Sequence, residues 1–118
     1  MKNILVVDDD FGFVSFLHRR LEVEGYHVDG ESGAEAALKR MRAKRPDLVV
    51  ADVMMPGMDG FSFVREIRTD NGLKNTPIII VTAHEELGEI FKVEGAQGVF
   101  SKPLATDKFV EKIRTLIG

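Results

Sequence analysis

Cysteine and tryptophan are absent from this chain of 118 residues, and tyrosine occurs once. The lack of cysteine excludes disulfides, iron–sulfur clusters, thiolate zinc sites and cysteine nucleophiles. Long apolar runs are also missing, since runs such as Ile78–Val81 reach only four residues, whereas a membrane-spanning helix needs about 20. The first residues, Met1–Ile4, enter a short apolar run too abruptly to form a signal peptide. We therefore expect a cytoplasmic protein that does not contact the membrane.

A large excess of charge of one sign is also lacking. Sixteen lysine and arginine residues face nineteen aspartate and glutamate residues, which gives a formal net charge of −3. This balance argues against direct nucleic-acid binding, which requires a basic surface. The length and the 44% hydrophobic fraction suit one globular domain, which we expect to span residues 1–118.

Five segments are predicted to form β-strands. Ile4–Val7, Asp47–Ala51 and Ile78–Val81 are rich in β-branched residues without polar alternation, a pattern typical of parallel strands that are buried on both faces. Tyr26–Asp29 and Gly98–Ser101 are weaker candidates, as expected for strands nearer the sheet edges.

Between these runs, apolar residues recur at helical spacing. Ser32 and Glu35 have the spacing of a capping box at the start of the second predicted helix. A fourth helix, Glu85–Val93, is short and has few apolar residues. The other apolar stripes are Phe13, Phe16, Leu17 and Leu21; Ala34, Ala37, Leu38 and Met41; Phe61, Val64 and Ile67; and Phe109, Val110, Ile113, Leu116 and Ile117.

Strict alternation of strands and helices predicts an α/β fold, with a doubly wound parallel sheet of five strands and helices on both faces. Five such units suit the (βα)5 flavodoxin-like strand order 2-1-3-4-5. In such sheets, ligands bind beyond the carboxyl ends of the strands where the order reverses, which here lies between strands one and three.

Charged and hydroxyl side chains follow four of the predicted strands at this edge. Strand one runs into Asp8–Asp10, and Asp52 follows strand three. Converging carboxylates repel one another unless a cation intervenes, and the two candidates are Mg²⁺, which prefers oxygen ligands, and a lysine. The predicted site comprises Asp8, Asp9, Asp52, Thr82 and Lys102.

Several residues at this edge also have a purely structural interpretation. Asp9 or Asp10 could cap the helix that begins near Phe11, Thr82 could simply end its strand, and Lys102 could be a solvated loop residue. Their joint occurrence at one sheet edge favours the functional interpretation.

Four segments together resemble the receiver domain of the bacterial two-component response-regulator family. The most specific is Asp52–Gly60, DVMMPGMDG, which matches the phosphoacceptor motif position by position. Ile4–Asp10 matches the strand with the acid pair, Val81–Ala83 the strand with the hydroxyl residue, and Lys102–Pro103 the lysine motif. The resemblance covers essentially the whole chain.

The resemblance implies that Asp52 accepts a phosphoryl group from a sensor histidine kinase or a phosphotransfer protein. It also implies a Mg²⁺ site formed by Asp9, Asp52 and the backbone carbonyl of Met54, with Asp8 acting mainly through a bound water. The chain would then be a phosphoacceptor that assists only its own phosphorylation and dephosphorylation, not an enzyme with conventional turnover.

The other implied roles concern the switch. Thr82 would hydrogen-bond a phosphoryl oxygen, Lys102 would form an ion pair with the phosphoryl group, and the Lys102–Pro103 bond would be cis. Phosphorylation would change the binding of this chain to a downstream effector protein or output domain, and a homodimer could form on activation.

Departures from the family pattern give further expectations. Val99 occupies the usual aromatic position, and Phe100 should face the other side of its strand, so a simple coupling between Thr82 and an aromatic residue is not expected. The short fourth helix should reshape the usual partner face. Met54 and His84, two residues after Asp52 and Thr82, are predicted to set the lifetime of the acyl phosphate.

Two alternatives remain open. A degenerate receiver would bind its partner without phosphorylation. A haloacid-dehalogenase-type phosphatase would use Asp8 as its nucleophile, since Asp8 and Asp10 form the D-x-D that opens that motif. Gly12 lies where that motif continues with Thr or Val, and the chain leaves no room for a cap domain.

Overall fold

The computed structural model describes residues 1–54 and 57–118, except for the side chains of Glu85 and Val93. Met55 and Pro56 of the predicted phosphoacceptor motif lie outside the described residues. The strands are β1 (Asn3–Val7), β2 (His27–Glu31), β3 (Leu48–Ala51), β4 (Ile78–Thr82) and β5 (Gly98–Ser101). The helices are α1 (Phe11–Val23), α2 (Ala34–Ala43), α3 (Gly60–Thr69), α4 (Gly88–Val93) and α5 (Thr106–Ile117), and a 3₁₀ turn at Glu85–Leu87 precedes α4.

The five strands form one parallel sheet in the order β2-β1-β3-β4-β5, which confirms the predicted fold class. β1 and β3 are neighbours, and Val7 is the register partner of Ala51. The backbone N–H of Asp52 donates to the carbonyl oxygen of Val7 at 3.1 Å. Asp8 and Asp52 therefore follow paired strand positions at the point where the strand order reverses.

Alternation along the strands divides the core into two layers. Leu5 and Val7 of β1 face an apolar cluster with residues of α2, α3 and α4, whereas Ile4 and Val6 face a second cluster with residues of α1 and α5. The central strands β1, β3 and β4 are thus covered on both faces, which is why their sequences lack polar alternation. The edge strand β2 keeps exposed polar positions. No helix in the described part of the chain has the length and apolar character needed to cross a membrane.

Aspartates cap two of the helices. Asp10 at the start of α1 and Asp59 at the start of α3 each accept a hydrogen bond from the backbone N–H three residues later. The predicted capping box is wrong: α2 begins at Ala34, its N-cap is Gly33, and no side chain caps it. This start places Glu35 at the second helical position, not at the third where a capping box requires it.

Phe16 was predicted to belong to the core stripe of α1, and this prediction is wrong because its side chain is 45% exposed. Leu17 and Leu21 of the same helix are fully buried against the sheet. Adjacent residues of an α-helix point about 100° apart, so the orientation that buries Leu17 turns Phe16 toward solvent.

The predicted fourth helix is interrupted. The 3₁₀ turn occupies its first part, and α4 itself has six residues and no side-chain cap. A Cβ on Gly88 would lie 3.5 Å from Cγ1 of Val99, so the start of α4 lies close to β5. As predicted, Val99 and Phe100 face opposite sides, since Val99 packs against the first cluster and Phe100 against the second.

Arg68 ties the far end of α3 to two loops. Its guanidinium donates to the carbonyl oxygens of Gly95, Thr76 and Lys74, and to the side-chain oxygen of Gln97. Burial disfavours the charged form and lowers the pKa of Arg68. The hydrogen bonds that its guanidinium donates to these oxygens compensate for part of the lost hydration. These bonds hold the loop before β4 and the turn between α4 and β5 to the same helix.

Candidate functional site

Three carboxylates converge at the carboxyl ends of β1 and β3. Asp8, Asp9 and Asp52 each offer an oxygen, and these oxygens all lie within 4.8 Å of one another. The three differ in access to solvent: the Asp8 side chain is 2% exposed, that of Asp52 is 13% exposed, and Asp9 is exposed. The cluster is a concentration of negative charge at the edge of a buried sheet.

Lys102 supplies the positive charge. It directly follows β5, and its backbone N–H donates to the carbonyl oxygen of Thr82 at 2.9 Å. Its Nζ lies 2.8 Å from Oδ2 of Asp8 and 3.3 Å from Oδ2 of Asp52. The bond between Lys102 and Pro103 is cis, as predicted.

Both oxygens of Asp8 have partners. Oδ1 accepts a hydrogen bond from the backbone N–H of Asp10 at 2.9 Å, and Oδ2 accepts from Lys102. Burial is the largest influence and raises the pKa of Asp8 above its ordinary value, although these hydrogen bonds act in the opposite direction. For Lys102, burial disfavours the charged form, but the bond to Asp8 and the charges of both carboxylates outweigh it and raise the pKa of the ammonium.

Asp52 is oriented by the chain that follows it. Its Oδ1 accepts a hydrogen bond from the backbone N–H of Val53 at 2.6 Å, and the N–H of Met54 lies 3.5 Å from the same oxygen. Gly60 permits this arrangement, since a Cβ there would lie 2.8 Å from Cα of Val53. The Met54 side chain is 61% exposed.

Thr82 ends β4 at the same edge, and its side chain is fully buried. Its Oγ1 accepts a hydrogen bond from the backbone N–H of His84 at 3.0 Å. The carbonyl oxygen of His84 in turn accepts from the N–H of Leu87 at 3.0 Å. The hydroxyl of Thr82 is therefore linked to the 3₁₀ turn that precedes α4, and a hydroxyl that accepts one hydrogen bond can also donate its own proton.

One residue of this site was not predicted from the sequence. The ring of Phe13, in the first turn of α1, lies 4.3 Å from the Nζ of Lys102, measured to the ring centroid. The sequence places Phe13 only in an apolar helix stripe, and 89 positions separate it from Lys102. The sequence offered only an indirect indication of this contact, because Phe13 lies in the helix turn that follows Asp8–Asp10 at the end of β1.

The donor set suits a small divalent cation. Mg²⁺ prefers carboxylate, carbonyl and water oxygens and uses few protein carboxylates, and Asp8, Asp9 and Asp52 offer three oxygens within one small volume. A divalent cation held there, together with the Lys102 ammonium, would neutralise further negative charge that is brought into the site.

The family model of the response regulator receiver domain matches residues 4–114. Among curated proteins, the alkaline phosphatase synthesis transcriptional regulatory protein PhoP of Bacillus subtilis is 35% identical over 118 residues, which cover 98% of this chain and 48% of PhoP. The response regulator PleD of Caulobacter vibrioides is 33% identical over 115 residues, which cover 96% of this chain and 25% of PleD. The chain thus spans half or less of the length of these relatives.

Solved structures agree with these matches. The chemotaxis response regulator CheY4 of Vibrio cholerae is 30% identical, with a TM-score of 0.90 and coverage of 98% of both chains. The response regulator protein TrrA of Thermotoga maritima, solved in complex with Mg²⁺-BeF, is 34% identical, with a TM-score of 0.89 and coverage of 98% of this chain and 99% of TrrA. The strand order, the paired carboxylates and the lysine agree with these matches. This chain belongs to the response regulator receiver domain family.

Proposed function

We propose that the chain accepts a phosphoryl group on Asp52 from a sensor histidine kinase or a phosphotransfer protein, and that this changes its binding to a downstream effector protein or output domain. The observation that carries the proposal is the position of Asp52. Its carboxylate is partly accessible to solvent, lies 3.3 Å from the ammonium of Lys102 and stands beside two further carboxylates.

Solvent access distinguishes Asp52 from Asp8. The Asp8 side chain is 2% exposed and that of Asp52 is 13% exposed, so an incoming phosphorus atom can reach an oxygen of Asp52 more readily than one of Asp8. This arrangement argues against the phosphatase alternative, which requires Asp8 to act as the nucleophile. Asp52 has one oxygen held by backbone N–H groups and the other directed to Lys102.

The reaction exchanges one bond for another. An oxygen of Asp52 forms a bond to phosphorus as the bond between phosphorus and the imidazole nitrogen of the donor breaks, and the electron pair leaves with the imidazole. A carboxylate is a weak nucleophile, so catalysis depends on positioning and on neutralising the transferring group. Lys102 is placed to neutralise it, and the chain thereby assists its own phosphorylation and the later hydrolysis without acting as a turnover enzyme.

Asp9, Asp52 and the backbone carbonyl of Met54 would hold Mg²⁺ directly, and Asp8, whose side chain is almost fully buried, would act mainly through a bound water. When bound, Mg²⁺ supplies positive charge that offsets the charge of the phosphoryl oxygens. The clustered carboxylates support this assignment, as does the Mg²⁺-BeF complex of the related TrrA.

Thr82 would report the phosphorylated state. Its hydroxyl can donate to a phosphoryl oxygen while its oxygen still accepts from His84. A shift of Thr82 would then be transmitted through that bond to the 3₁₀ turn and α4. Val99 of β5 occupies the usual aromatic position but has no ring that could move together with Thr82. The 3₁₀ turn itself would therefore carry the change to the effector, or to a second copy of the chain in an activated homodimer.

The phosphodonor protein would approach over the start of α1. Phe11 and Phe16 expose 76% and 45% of their side chains, and Phe11 lies two residues after Asp9. Exposed aromatic side chains are typical anchors of protein interfaces.

The test is labelling by acetyl phosphate with Mg²⁺, with Asp52→Asn and Asp8→Asn as variants. We expect one phosphoryl group per chain, lost in Asp52→Asn. Full labelling of Asp52→Asn would contradict the assignment, and loss only in Asp8→Asn would favour the phosphatase alternative. A folded chain that binds Mg²⁺ but is never labelled would indicate the degenerate receiver.

A further inference from the structure

The ring of Phe13 faces the Lys102 ammonium from the side of α1. The distance from Nζ to the ring centroid is 4.3 Å, well within the roughly 6 Å at which an aromatic face attracts a cation. Asp8 and Asp52 accept hydrogen bonds from the same nitrogen. The ammonium is thus bound to carboxylates and also covered by an aromatic ring.

The position of Phe13 is fixed relative to the acidic cluster. Its backbone N–H donates to Oδ1 of Asp10 at 3.1 Å, and the backbone N–H of Asp10 donates to Oδ1 of Asp8 at 2.9 Å. Phe13 also packs, half-buried, against the apolar cluster between the sheet, α1 and α5. These contacts fix the backbone of Phe13 and bury part of its ring, and none of them involves Lys102.

A lysine benefits from such a support because its ammonium sits on four flexible methylene groups. The Lys102 side chain is still 22% exposed, so water competes with the carboxylates for its three N–H donors. The ring excludes water from one side and attracts the charge through its quadrupole.

We propose that Phe13 is a positioning residue for the phosphorylation reaction, and that its ring holds the Lys102 ammonium on Asp8 and Asp52, in place to meet the incoming phosphoryl group. The inference rests on the proposed function, in which Lys102 neutralises the transferring group. In this role Phe13 acts through Lys102.

Fluorination of the ring tests the electrostatic part of this inference. Mono-, di- and trifluorinated phenylalanine at position 13 keep nearly the same shape but progressively weaken the negative ring face. We expect the rate of labelling by acetyl phosphate at fixed Mg²⁺ to fall stepwise, by about fivefold for the trifluorinated form, which equals about 1 kcal/mol at 1.4 kcal/mol per tenfold. Phe13→Leu should lose about as much, and Phe13→Tyr should retain most of the rate.

Phe100 provides a matched control. It is also half-buried, packs against the same apolar cluster and lies two residues before Lys102, but its ring forms a T-shaped pair with that of Phe109, with centroids 5.6 Å apart. Fluorination at position 100 should leave the rate unchanged. A rate that does not fall with fluorine number at position 13, or that falls equally at both positions, overturns the proposal.

An NMR measurement without phosphodonor separates this inference from the proposed function. The ring current of Phe13 should shift the ε-methylene protons of Lys102 upfield relative to those of exposed lysines, and Phe13→Leu should abolish the shift, with the resonance assigned from Lys102→Arg. If no variant is labelled but the shift is present, the proposed function fails while the contact stands. If the shift is absent, the inference fails whatever the labelling shows.

Discussion

Replacement of Lys102 by methionine should destabilise the protein in the absence of divalent cations. The substitution removes one partner from a pair whose other member, Asp8, is almost fully buried. Removing one partner of a fully buried ion pair costs about 3–5 kcal/mol. Since Lys102 is partly exposed and water can enter the space of its ammonium, we expect about 2–3 kcal/mol of unfolding free energy, or roughly 10 °C in Tm.

Mg²⁺ should reverse much of this loss. Without Lys102 the three carboxylates lack a positive neighbour, so a divalent cation should bind about tenfold more tightly, because one unit charge about 4 Å away is worth on the order of 1 kcal/mol even in water. Mg²⁺ should therefore raise the Tm of Lys102→Met more than that of the parent chain. Lowering the pH should also relieve the loss, because burial raises the pKa of Asp8 and the folded state then takes up a proton that neutralises it.

The assay is urea or thermal unfolding at pH 7, once with EDTA and once with excess Mg²⁺. Lys108→Met serves as a control for the loss of an exposed lysine. The double variant Asp8→Asn with Lys102→Met should be more stable than Lys102→Met alone, since it leaves no unpaired buried carboxylate. The reasoning is refuted if Lys102→Met matches Lys108→Met in EDTA, or if the double variant is no more stable.

Three further predictions concern other parts of the chain. Arg68→Met should lower the unfolding free energy by about 3 kcal/mol, because several carbonyl groups lose a charged donor; urea denaturation measures it, and a loss under about 1 kcal/mol would contradict it. Arg65 lowers the pKa of Glu94 below 4.5, so the stability that Arg65→Gln removes should be present above pH 4.5 and vanish as the pH falls through the pKa of the folded state; an equal difference at pH 2 and pH 7 would exclude this pair as its source. Met54→Asn should speed dephosphorylation several-fold, or nearly 1 kcal/mol, because an amide can orient water where the exposed thioether cannot; an unchanged decay of the labelled protein would remove Met54 from the mechanism.

The central strands β1, β3 and β4 were predictable from sequence because each is buried on both faces. Such strands must be apolar throughout, and the alternation with helices leaves few topologies that obey right-handed crossovers. The place of the site followed from the same rule, since Asp8 and Asp52 come directly after neighbouring strands. Even Val99 and Phe100 could be assigned to opposite faces, because strand side chains alternate.

Local rules were less reliable at helix ends and on helix surfaces. The spacing of Ser32 and Glu35 satisfies a capping box, but the helix begins one residue later. Phe16 fits the apolar stripe of α1, but only the contact of the helix with the sheet decides which side of a broad stripe is buried. The short fourth helix was foreseen as weak, and its interruption by a 3₁₀ turn was not.

Sequence by itself determined which groups are present at the sheet edge: carboxylates after two neighbouring strands, a hydroxyl after the next and a lysine after the last. Only the tertiary structure decided how they share the space. It buried Asp8 and left Asp9 exposed, although the two are adjacent in the chain, because successive residues point in different directions as the strand ends. It also brought Phe13 against Lys102. This contact between distant segments depends on how α1 packs against the sheet near the end of β5, and no periodicity or motif encodes such a packing.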